Sequence, residues 1–413
     1  MKVILKNIKK LIQIRDNDTK YVSGNDMQIL PYIDDAFLLI KNNKIADFGE
    51  MSFFPKEYNN FNSIDCTNKF VFPSFCDSHT HLVYAGSREQ EYSDKIKGLS
   101  YEEIAKRGGG ILNSAKLIAK ISEDDLYNQS LQRINEIIKQ GTGAVEIKSG
   151  YGLSTETEIK MLRVIKRLKE NVPIKIKATF LGAHSIPLEY KNNRKKYVDL
   201  VINEMLPEVA RENLAEYIDV FCDRGFFTPE DTDRILKAGA KYGLIPKIHA
   251  NELDFSGGIQ VGVKNKALSV DHLEFTGDEE IKTLLNSDTM PTLLPGAAFF
   301  LGMKNPPVRK MINAGLPICL GSDFNPGSSP SGNMKLIMSF GTIVLKMLPE
   351  ETINATTING AYAMGIEKTH GSITKGKIAN MFITKEIPSI EFFPYAYGSN
   401  LIDKVIINGE IVK

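Results

Sequence analysis

The sequence predicts a mixed α/β fold, a (β/α)₈ barrel with a small β-sandwich domain built from both chain termini. Three observations support this prediction. Strand-length apolar runs alternate with helical patterns across residues 68–372, as in a barrel of parallel strands. The two ends, residues 1–67 and 373–413, instead contain strand pairs joined by tight turns. The length of 413 residues also exceeds what one compact core usually holds.

The small domain is predicted from one hairpin at each end of the chain. Apolar runs at 36–40 and 44–48 flank two asparagines, Asn42 and Asn43. Runs at 405–407 and 410–412 flank Asn408-Gly409, the strongest short hairpin signal. A further strand is expected at 378–384. Because neither end could bury a core by itself, we expect the two ends to fold together.

The barrel is predicted from eight strand candidates and the helices between them. The strand candidates are residues 71–76, 144–147, 174–180, 218–221, 245–248, 267–270, 290–294 and 318–320. Helical patterns are clearest at 124–139, 155–169, 229–242 and 307–314. A doubly wound open sheet is the alternative, but no glycine pattern of the GxGxxG type follows any of these strands.

Composition excludes several classes of protein. Hydrophobic residues make up 42% and charged residues 24%, so the chain is neither disordered nor fibrous. Lysine and arginine total 51 against 50 acidic residues, which argues against a nucleic-acid or membrane-surface partner. No apolar stretch reaches the ~20 residues of a spanning helix, and no signal peptide is evident. The four cysteines have no CxxC spacing, which favours a reduced, cytoplasmic protein.

The strongest local chemical signal lies at the end of the first barrel strand. His79 and His81 are two positions apart, so on an extended chain both imidazoles point to the same side. They could therefore bind one metal ion from one strand end. Chance spacing or simple packing is the alternative for this pair alone.

The other histidines favour the metal hypothesis. All six histidines except His370 lie at or just after the end of a predicted strand, including His184, His249 and His272. Asp323 follows the final strand in the same way. In a (β/α)₈ barrel these strand ends share one face, where the active sites of such barrels lie. Histidines that merely fill a core would be scattered along helices and strand centres.

The side chains of His79, His81, His249 and Asp323 form a plausible ligand set with room for a water. Three imidazoles and one carboxylate suit Zn²⁺, with Fe²⁺ next. Such an ion lowers the pKa of a bound water from about 15.7 to roughly 7.

Two neighbouring residues could handle protons. Glu252 lies three positions after His249, where its carboxylate could take a proton from water and pass it to a leaving nitrogen. An ordinary acid favoured by a helix dipole is the alternative for Glu252. His272 could polarise a substrate carbonyl or orient the attacking water.

Several segments together make the chain resemble the amidohydrolase superfamily over essentially its whole length. They are DSHTHLVYAGSR (77–88), GGGI (108–111), EIKSGYGL (146–153), FLGAH (180–184) and GSDFNPG (321–327). Many metallohydrolases share a His-x-His pair, but the Gly-Tyr-Gly and Asp-Phe-Asn-Pro-Gly segments together are specific to far fewer proteins. Glycines 108–110 are interpreted as a flexible loop near the mouth of the site.

The resemblance implies an activity and a substrate. It points to the members that open the ring amide of 4-imidazolone-5-propanoate to N-formimidoyl-L-glutamate in histidine degradation. It implies the ligands and proton-handling residues named above, one divalent ion per chain, and a homodimer. The implied substrate contacts are Arg88, Tyr151, His184, Glu252, Asn325, Gly327 and Ser328, and His184 is also counted among the catalytic candidates.

The chemistry of these residues agrees with a small substrate that has a carboxylate tail. Arg88 offers a planar fork that binds a carboxylate through two nitrogens. Tyr151 offers a hydroxyl on a glycine-flanked loop, and Asn325 with Gly327 offers amide donors. The alternatives are a metal-dependent deaminase of a cyclic amidine such as a nucleobase, and a metal-free scaffold protein. A neutral base would not require Arg88, and a scaffold would be expected to have lost a ligand.

The sequence departs from the superfamily pattern at two positions. Ser74 follows Pro73 where glycine is usual, and Asn380 stands where aspartate is usual. Both lie outside the expected ligand set. Two-metal members also carry a carboxylated lysine at the end of strand four, whereas that strand here ends in Phe-Cys-Asp at 221–223. Neither Lys148 nor Lys177 is expected to replace it.

Overall fold

Strands from both ends of the chain form one mixed sheet in the computed structural model, which describes residues 2–99, 103 and 109–413. The N-terminal strands are β1 (Lys2–Ile12), β2 (Tyr32–Lys41), β3 (Lys44–Glu50), β4 (Asn62–Asp65) and β5 (Lys69–Pro73), and the C-terminal ones are β14 (Met381–Glu386), β15 (Ile402–Ile407) and β16 (Glu410–Ile411). The order is β16-β15-β14-β5-β1-β2-β3, with β4 paired to β1. The two ends therefore complete a single sheet, as the hairpins predicted.

Both predicted hairpin turns are present and have the expected backbone. Asn42 and Asn43 have φ of 52° and 65°, and Asn408 and Gly409 have φ of 51° and 79°. Left-handed conformation at both central residues matches the right-handed twist of the flanking strands. Asparagine and glycine tolerate this region better than other residues do, which explains the choice of residues at both turns.

The middle of the chain forms the predicted barrel of eight parallel strands in sequence order. They are β6 (Phe75–Asp77), β7 (Thr142–Lys148), β8 (Lys175–Ala183), β9 (Tyr217–Cys222), β10 (Ile245–Ala250), β11 (Ser269–His272), β12 (Met290–Leu293) and β13 (Cys319–Leu320). Beyond the last strand, the amide of Asp323 donates to the carbonyl of His79 at 2.9 Å. The amide of His81 donates to the carbonyl of Phe324, also at 2.9 Å, so the first and last segments meet at the top of the barrel.

The strand expected at 71–76 is divided between the two sheets. Residues Lys69–Pro73 pair with β14 in the sheet of the termini, and Phe75–Asp77 begins the barrel. Ser74 is the crossing point, where its amide donates to the carbonyl of Asn380 at 3.0 Å. The sequence does not reveal where the chain passes from one sheet to the other, because both sheets bury their part of the same apolar run. We therefore propose a domain boundary at Ser74 and not at residue 68.

Helices surround the barrel strands, and the four clearest predicted helices are present with nearly the expected bounds. The described α-helices are Glu89–Ile96, Ile111–Lys120, Glu123–Lys139, Thr155–Asn171, Arg194–Leu200, Leu206–Arg211, Pro229–Ala240, Gly258–Lys264, Asp278–Leu285, Pro295–Leu301, Val308–Asn313, Met334–Ile343, Pro349–Thr356, Ile358–Ala363 and Phe392–Tyr395. Within the described part of the chain, none of them has the length and apolar character needed to span a bilayer.

Candidate active site

Three imidazoles converge at the top of the barrel. The Nε2 atoms of His79 and His81 are 3.3 Å apart, and those of His81 and His249 are 3.2 Å apart. All three side chains are buried. Burial is the largest cause that lowers the pKa of both His79 and His81 well below the ordinary value, and the nearby Lys148 ammonium lowers it further. Neutral imidazoles with converging nitrogens are the form that binds a metal ion.

Buried carboxylates orient two of these rings from below. Asp271 lies 2.6 Å from Nδ1 of His79, and Asp219 lies 2.9 Å from Nδ1 of His249. An ionised carboxylate only accepts hydrogen bonds, so Nδ1 carries the proton in each ring and Nε2 keeps its lone pair. This pairing is the usual support of histidine ligands in metal sites.

Asp323 reaches the same point from the last strand. Its Oδ1 is 3.6 Å from Nε2 of His79 and 3.5 Å from Nε2 of His81. Burial raises the pKa of Asp323, as expected for a carboxylate withdrawn from water. Asp323 is therefore brought next to His79 and His81, and the group formed by His79, His81 and His249 fits a divalent cation.

Lys148 lies beneath the cluster as a paired ammonium. Its Nζ is 2.7 Å from Glu146, 2.8 Å from Asp219 and 3.6 Å from Asp271. Burial by itself lowers the pKa of Lys148, but these three carboxylates outweigh it, and the pKa is raised above its ordinary value. Lys247 also pairs with Glu146, so the barrel interior holds a compact network of buried charges.

Glu252 and His272 form a second pair beside the imidazoles. Oε2 of Glu252 lies 3.7 Å from Nε2 of His272. Burial raises the pKa of Glu252 to about 7. Burial opposes a charge on His272, but Glu252 and Glu274 outweigh it and raise the pKa of His272 to about 10. The pair therefore combines a carboxyl that titrates near neutrality with a ring that is protonated there.

A cavity of about 460 Å³ opens over this cluster. His79 is fully buried and does not line it. The other predicted site residues all line it, namely His81, Arg88, Tyr151, His184, His249, Glu252, His272, Asp323, Asn325, Gly327 and Ser328. The residues expected from the strand ends and those expected from the family resemblance therefore line the same cavity.

Arg88 is held at the cavity wall by its neighbours. Its Nε donates to Glu91 at 2.9 Å, and Glu91 also accepts from the amide of Gly110 at 3.0 Å. A Cβ at position 327 would overlap the guanidinium, so Gly327 permits this close approach and a larger residue there would displace the Arg88 side chain. Because Nε is engaged, a carboxylate would be bound through the two terminal nitrogens. The neighbouring Gly108 lies outside the described residues.

His184 and Tyr151 cover the imidazoles from the side. The ring of His184 stacks on that of His81, with 4.9 Å between centroids, and Tyr151 lies 5.4 Å from His184. Nδ1 of His184 is 3.0 Å from the carbonyl of Gly150, to which it donates. Burial is the main cause that lowers the pKa of His184 to about 3. His184 is therefore neutral, and its Nε2 is an acceptor.

The loop after Asp323 uses its polar groups internally. The side-chain oxygen of Asn325 accepts from the amides of Gly327 and Ser328, each at 2.8 Å. Its side-chain nitrogen donates to the carbonyl of Asp323 at 2.6 Å. The amide donors that the sequence offered at Asn325 and Gly327 are thus engaged within the loop, and Asn325, Gly327 and Ser328 line the cavity.

Sequence reasoning missed several residues that shape the site. Asp219 stands inside an apolar strand, and a buried charged residue in such a run must be paired, so its position could have indicated a role. Asp271 comes directly before His272 in the short, largely polar strand β11, where no such contrast marks it. Glu91 and Lys95 line the cavity at helical spacing from Arg88. Phe221, Phe226, Phe300, Leu301 and Met303 supply apolar walls, and no local pattern distinguishes them from core residues.

Comparisons with known proteins show which family the chain belongs to. The amidohydrolase family matches residues 70–412. An imidazolonepropionase of Christiangramia forsetii is 58% identical over 412 residues, covering 100% of both chains. One of Alkaliphilus oremlandii is 41% identical and covers 99% of this chain and 97% of its own. A guanine deaminase of C. acetobutylicum superposes with a TM-score of 0.72 at 17% identity, with 100% of both chains covered.

The chain therefore belongs to the amidohydrolase family. Within that family, its similarity over full length is to proteins named imidazolonepropionase. The family implies a divalent metal ion, and the donors His79, His81 and His249 fit one. The likeness to guanine deaminases, at low identity, concerns the fold alone.

Proposed function

We propose that the chain hydrolyses the ring amide of 4-imidazolone-5-propanoate to N-formimidoyl-L-glutamate, a step of histidine degradation. One observation carries the proposal. In a chain 58% identical over its full length to an imidazolonepropionase, one cavity is lined by Arg88, by the pair Glu252 and His272, and by the imidazoles of His81 and His249. The cavity of about 460 Å³ is large enough for so small a substrate.

We propose that His79, His81, His249 and Asp323 hold one divalent ion, Zn²⁺ or Fe²⁺. When bound, such an ion supplies Lewis acidity that lowers the pKa of a coordinated water. A single ion is supported by the absence of a lysine at the end of β9 and by the ion pairs that already engage Lys148.

Glu252 and His272 supply the proton chemistry. The Glu252 carboxylate accepts a proton from the attacking water as the new C–O bond forms at the ring carbonyl carbon. It returns that proton to the ring nitrogen as the C–N bond breaks. The protonated ring of His272, 3.7 Å from Glu252, donates a hydrogen bond to the carbonyl oxygen, where negative charge develops.

Arg88, Tyr151 and His184 orient the substrate. The Arg88 guanidinium pairs with the propanoate through its two terminal nitrogens. The Nε2 atom of neutral His184 accepts a hydrogen bond from a ring N–H of the substrate, and the ring of Tyr151 lies 5.4 Å from that of His184. Arg88 packs closely against Gly327, and Asn325 and Ser328 line the same cavity.

A direct assay tests this function. Purified protein loaded with Zn²⁺ or Fe²⁺ is mixed with freshly prepared imidazolone propanoate. The ultraviolet absorbance of the imidazolone is then followed over time. We expect the absorbance to decay, and cytosine, guanine and adenosine to remain unchanged. Turnover of a nucleobase without turnover of the imidazolone would favour the deaminase alternative.

We also propose that the enzyme is a cytoplasmic homodimer. The four cysteines Cys66, Cys76, Cys222 and Cys319 are buried and free, which supports a reducing compartment. Sedimentation equilibrium of the purified protein measures the oligomeric state, and a monomer at micromolar concentration would contradict the dimer.

A further inference from the structure

We propose that Glu158 is a positioning residue, whose buried carboxylate holds the substrate loop, residues 149–153, in the conformation that places Tyr151 and orients His184. The inference rests on the proposed function and deepens it. Glu158 lies in the helix Thr155–Asn171 and does not line the cavity. It therefore acts through the loop and does not touch the substrate.

The contacts of the Glu158 carboxylate converge on one short stretch of backbone. It accepts hydrogen bonds from the amides of Gly152 at 2.6 Å, Leu153 at 3.1 Å and Gly150 at 3.1 Å. The side chain is fully buried. Backbone amides that converge in this way form a concave anion-binding nest, and here the chain supplies its own anion.

The loop has a backbone that requires such an anchor. Gly150 has φ of 109° and Leu153 has φ of 61°, a region that a leucine rarely adopts. A Cβ at position 152 would overlap the backbone of Glu158, so only glycine fits there. The carboxylate thus stabilises a conformation that the sequence of the loop does not favour by itself.

The loop in turn controls two substrate-facing groups. The carbonyl of Gly150 accepts from Nδ1 of His184 at 3.0 Å, which fixes the proton on Nδ1 and leaves Nε2 as the acceptor. The ring of Tyr151 is 5.7 Å from that of His81. The hydroxyl of Tyr197 ties the loop to β8, donating to the carbonyls of Leu153 at 3.3 Å and Gly182 at 2.8 Å.

An ordinary helix-start acid would behave differently. Ser154 already caps this helix by accepting from the amide of Thr157. The Glu158 carboxylate turns away from the helix and binds amides that precede it in sequence. The interaction therefore fixes the loop more than it stabilises the helix.

The first test compares Glu158→Gln with Glu280→Gln in the zinc-loaded enzyme. Glu280 is a matched control because it is also buried and accepts from a backbone amide, that of Gly277 at 2.9 Å, but Gly277 does not line the cavity, unlike Tyr151 in the loop that Glu158 holds. We expect Glu158→Gln to raise KM about 10-fold or more while the amount of bound zinc is unchanged. The side-chain NH₂ of glutamine would face backbone N–H groups, which are also donors, so the loop would lose hydrogen bonds that hold it in place. Glu280→Gln should leave KM unchanged. Equal KM values in both variants would overturn the proposal.

A second readout does not depend on turnover. With six histidines in the chain, ¹⁵N imidazole spectra can assign the His184 tautomer directly. We expect Glu158→Gln to shift the His184 signals and leave those of His79 and His249 in place. If the wild type failed to hydrolyse the imidazolone while this shift occurred, the function would be wrong and the role of Glu158 would stand. Unchanged His184 signals in a folded Glu158→Gln variant would overturn that role.

Tyr197→Phe provides a milder perturbation if Glu158→Gln does not fold. It removes the hydroxyl that ties Leu153 to Gly182 and leaves the carboxylate in place. We expect KM and the His184 signals of Tyr197→Phe to change in the same direction as in Glu158→Gln, but by a smaller amount. Wild-type KM and wild-type His184 signals in Tyr197→Phe would then count against the anchored loop.

Discussion

At the scale of single residues, the proposed role of Glu252 in proton transfer can be tested directly by substitution. Glu252→Gln should keep the metal and lower kcat by about 10²–10⁴-fold, because the amide preserves shape but cannot accept a proton from water. Turnover is measured together with metal content by elemental analysis. A Gln variant that kept more than about a tenth of wild-type kcat would show that another group carries the proton.

The raised pKa of Glu252 predicts the acidic limb of the activity profile. The carboxylate must be ionised to accept a proton, and burial raises its pKa to about 7. Activity should therefore be lost as the pH falls through that value and not near the ordinary value for glutamate. The pH dependence of kcat measures this limb. If the residual activity of Glu252→Gln still fell over the same acidic pH range, a different group would be responsible for that limb of the profile.

Arg88 decides specificity for a carboxylate tail. Arg88→Ala should lower kcat/KM for imidazolone propanoate by roughly 10- to 150-fold, since a charged hydrogen bond is worth on the order of 1.5–3 kcal/mol. The metal content should not change. An imidazolone without the propanoate serves as the control and should be affected little. Equal losses on both compounds would indicate damage to the fold instead of a lost contact.

At the scale of strands and helices, sequence patterns predicted most of the fold. Asn42-Asn43 and Asn408-Gly409 predicted both hairpins because their backbone requirement is local. The crossing at Ser74 was not predictable, since both sheets bury the same apolar run. Histidines at strand ends indicated where the cavity lies. The role proposed for Glu158 could not be predicted, because it lies on a helix and its contacts with the loop form only on folding.

The strand interiors support the metal ligands, and β9 provides a test. Asp219→Asn should weaken metal binding by about 10–100-fold, because the amide accepts less strongly from Nδ1 of His249 and loses its ion pair with Lys148. Competition with a chelator measures this affinity. Asp233→Asn, which removes a carboxylate from the outer helix Pro229–Ala240, is the control. Similar affinities in the two variants would contradict the orienting role of Asp219.

At the scale of the whole molecule, the first and last barrel strands meet through the metal-ligand cluster. His79 and His81 follow β6, Asp323 follows β13, and backbone hydrogen bonds join the two segments. A divalent ion bound by all three side chains would cross-link segments that are far apart in sequence. Removal of the ion should therefore destabilise the barrel as a whole and not the site alone.

This coupling predicts both the stability of the apo-protein and the metal count. Binding to the native state adds RT ln(1 + [L]/Kd), about 2.7 kcal/mol when free metal is 100 times Kd, so Tm should fall on chelation and recover when zinc is restored. Calorimetric titration of the stripped protein should show a single break at one equivalent, since Lys148 is held in ion pairs and cannot bridge a second ion. Calcium, which prefers oxygen ligands, is the control and should not restore Tm. A break at two equivalents, with both ions needed for activity, would mean that a second metal site exists in this barrel.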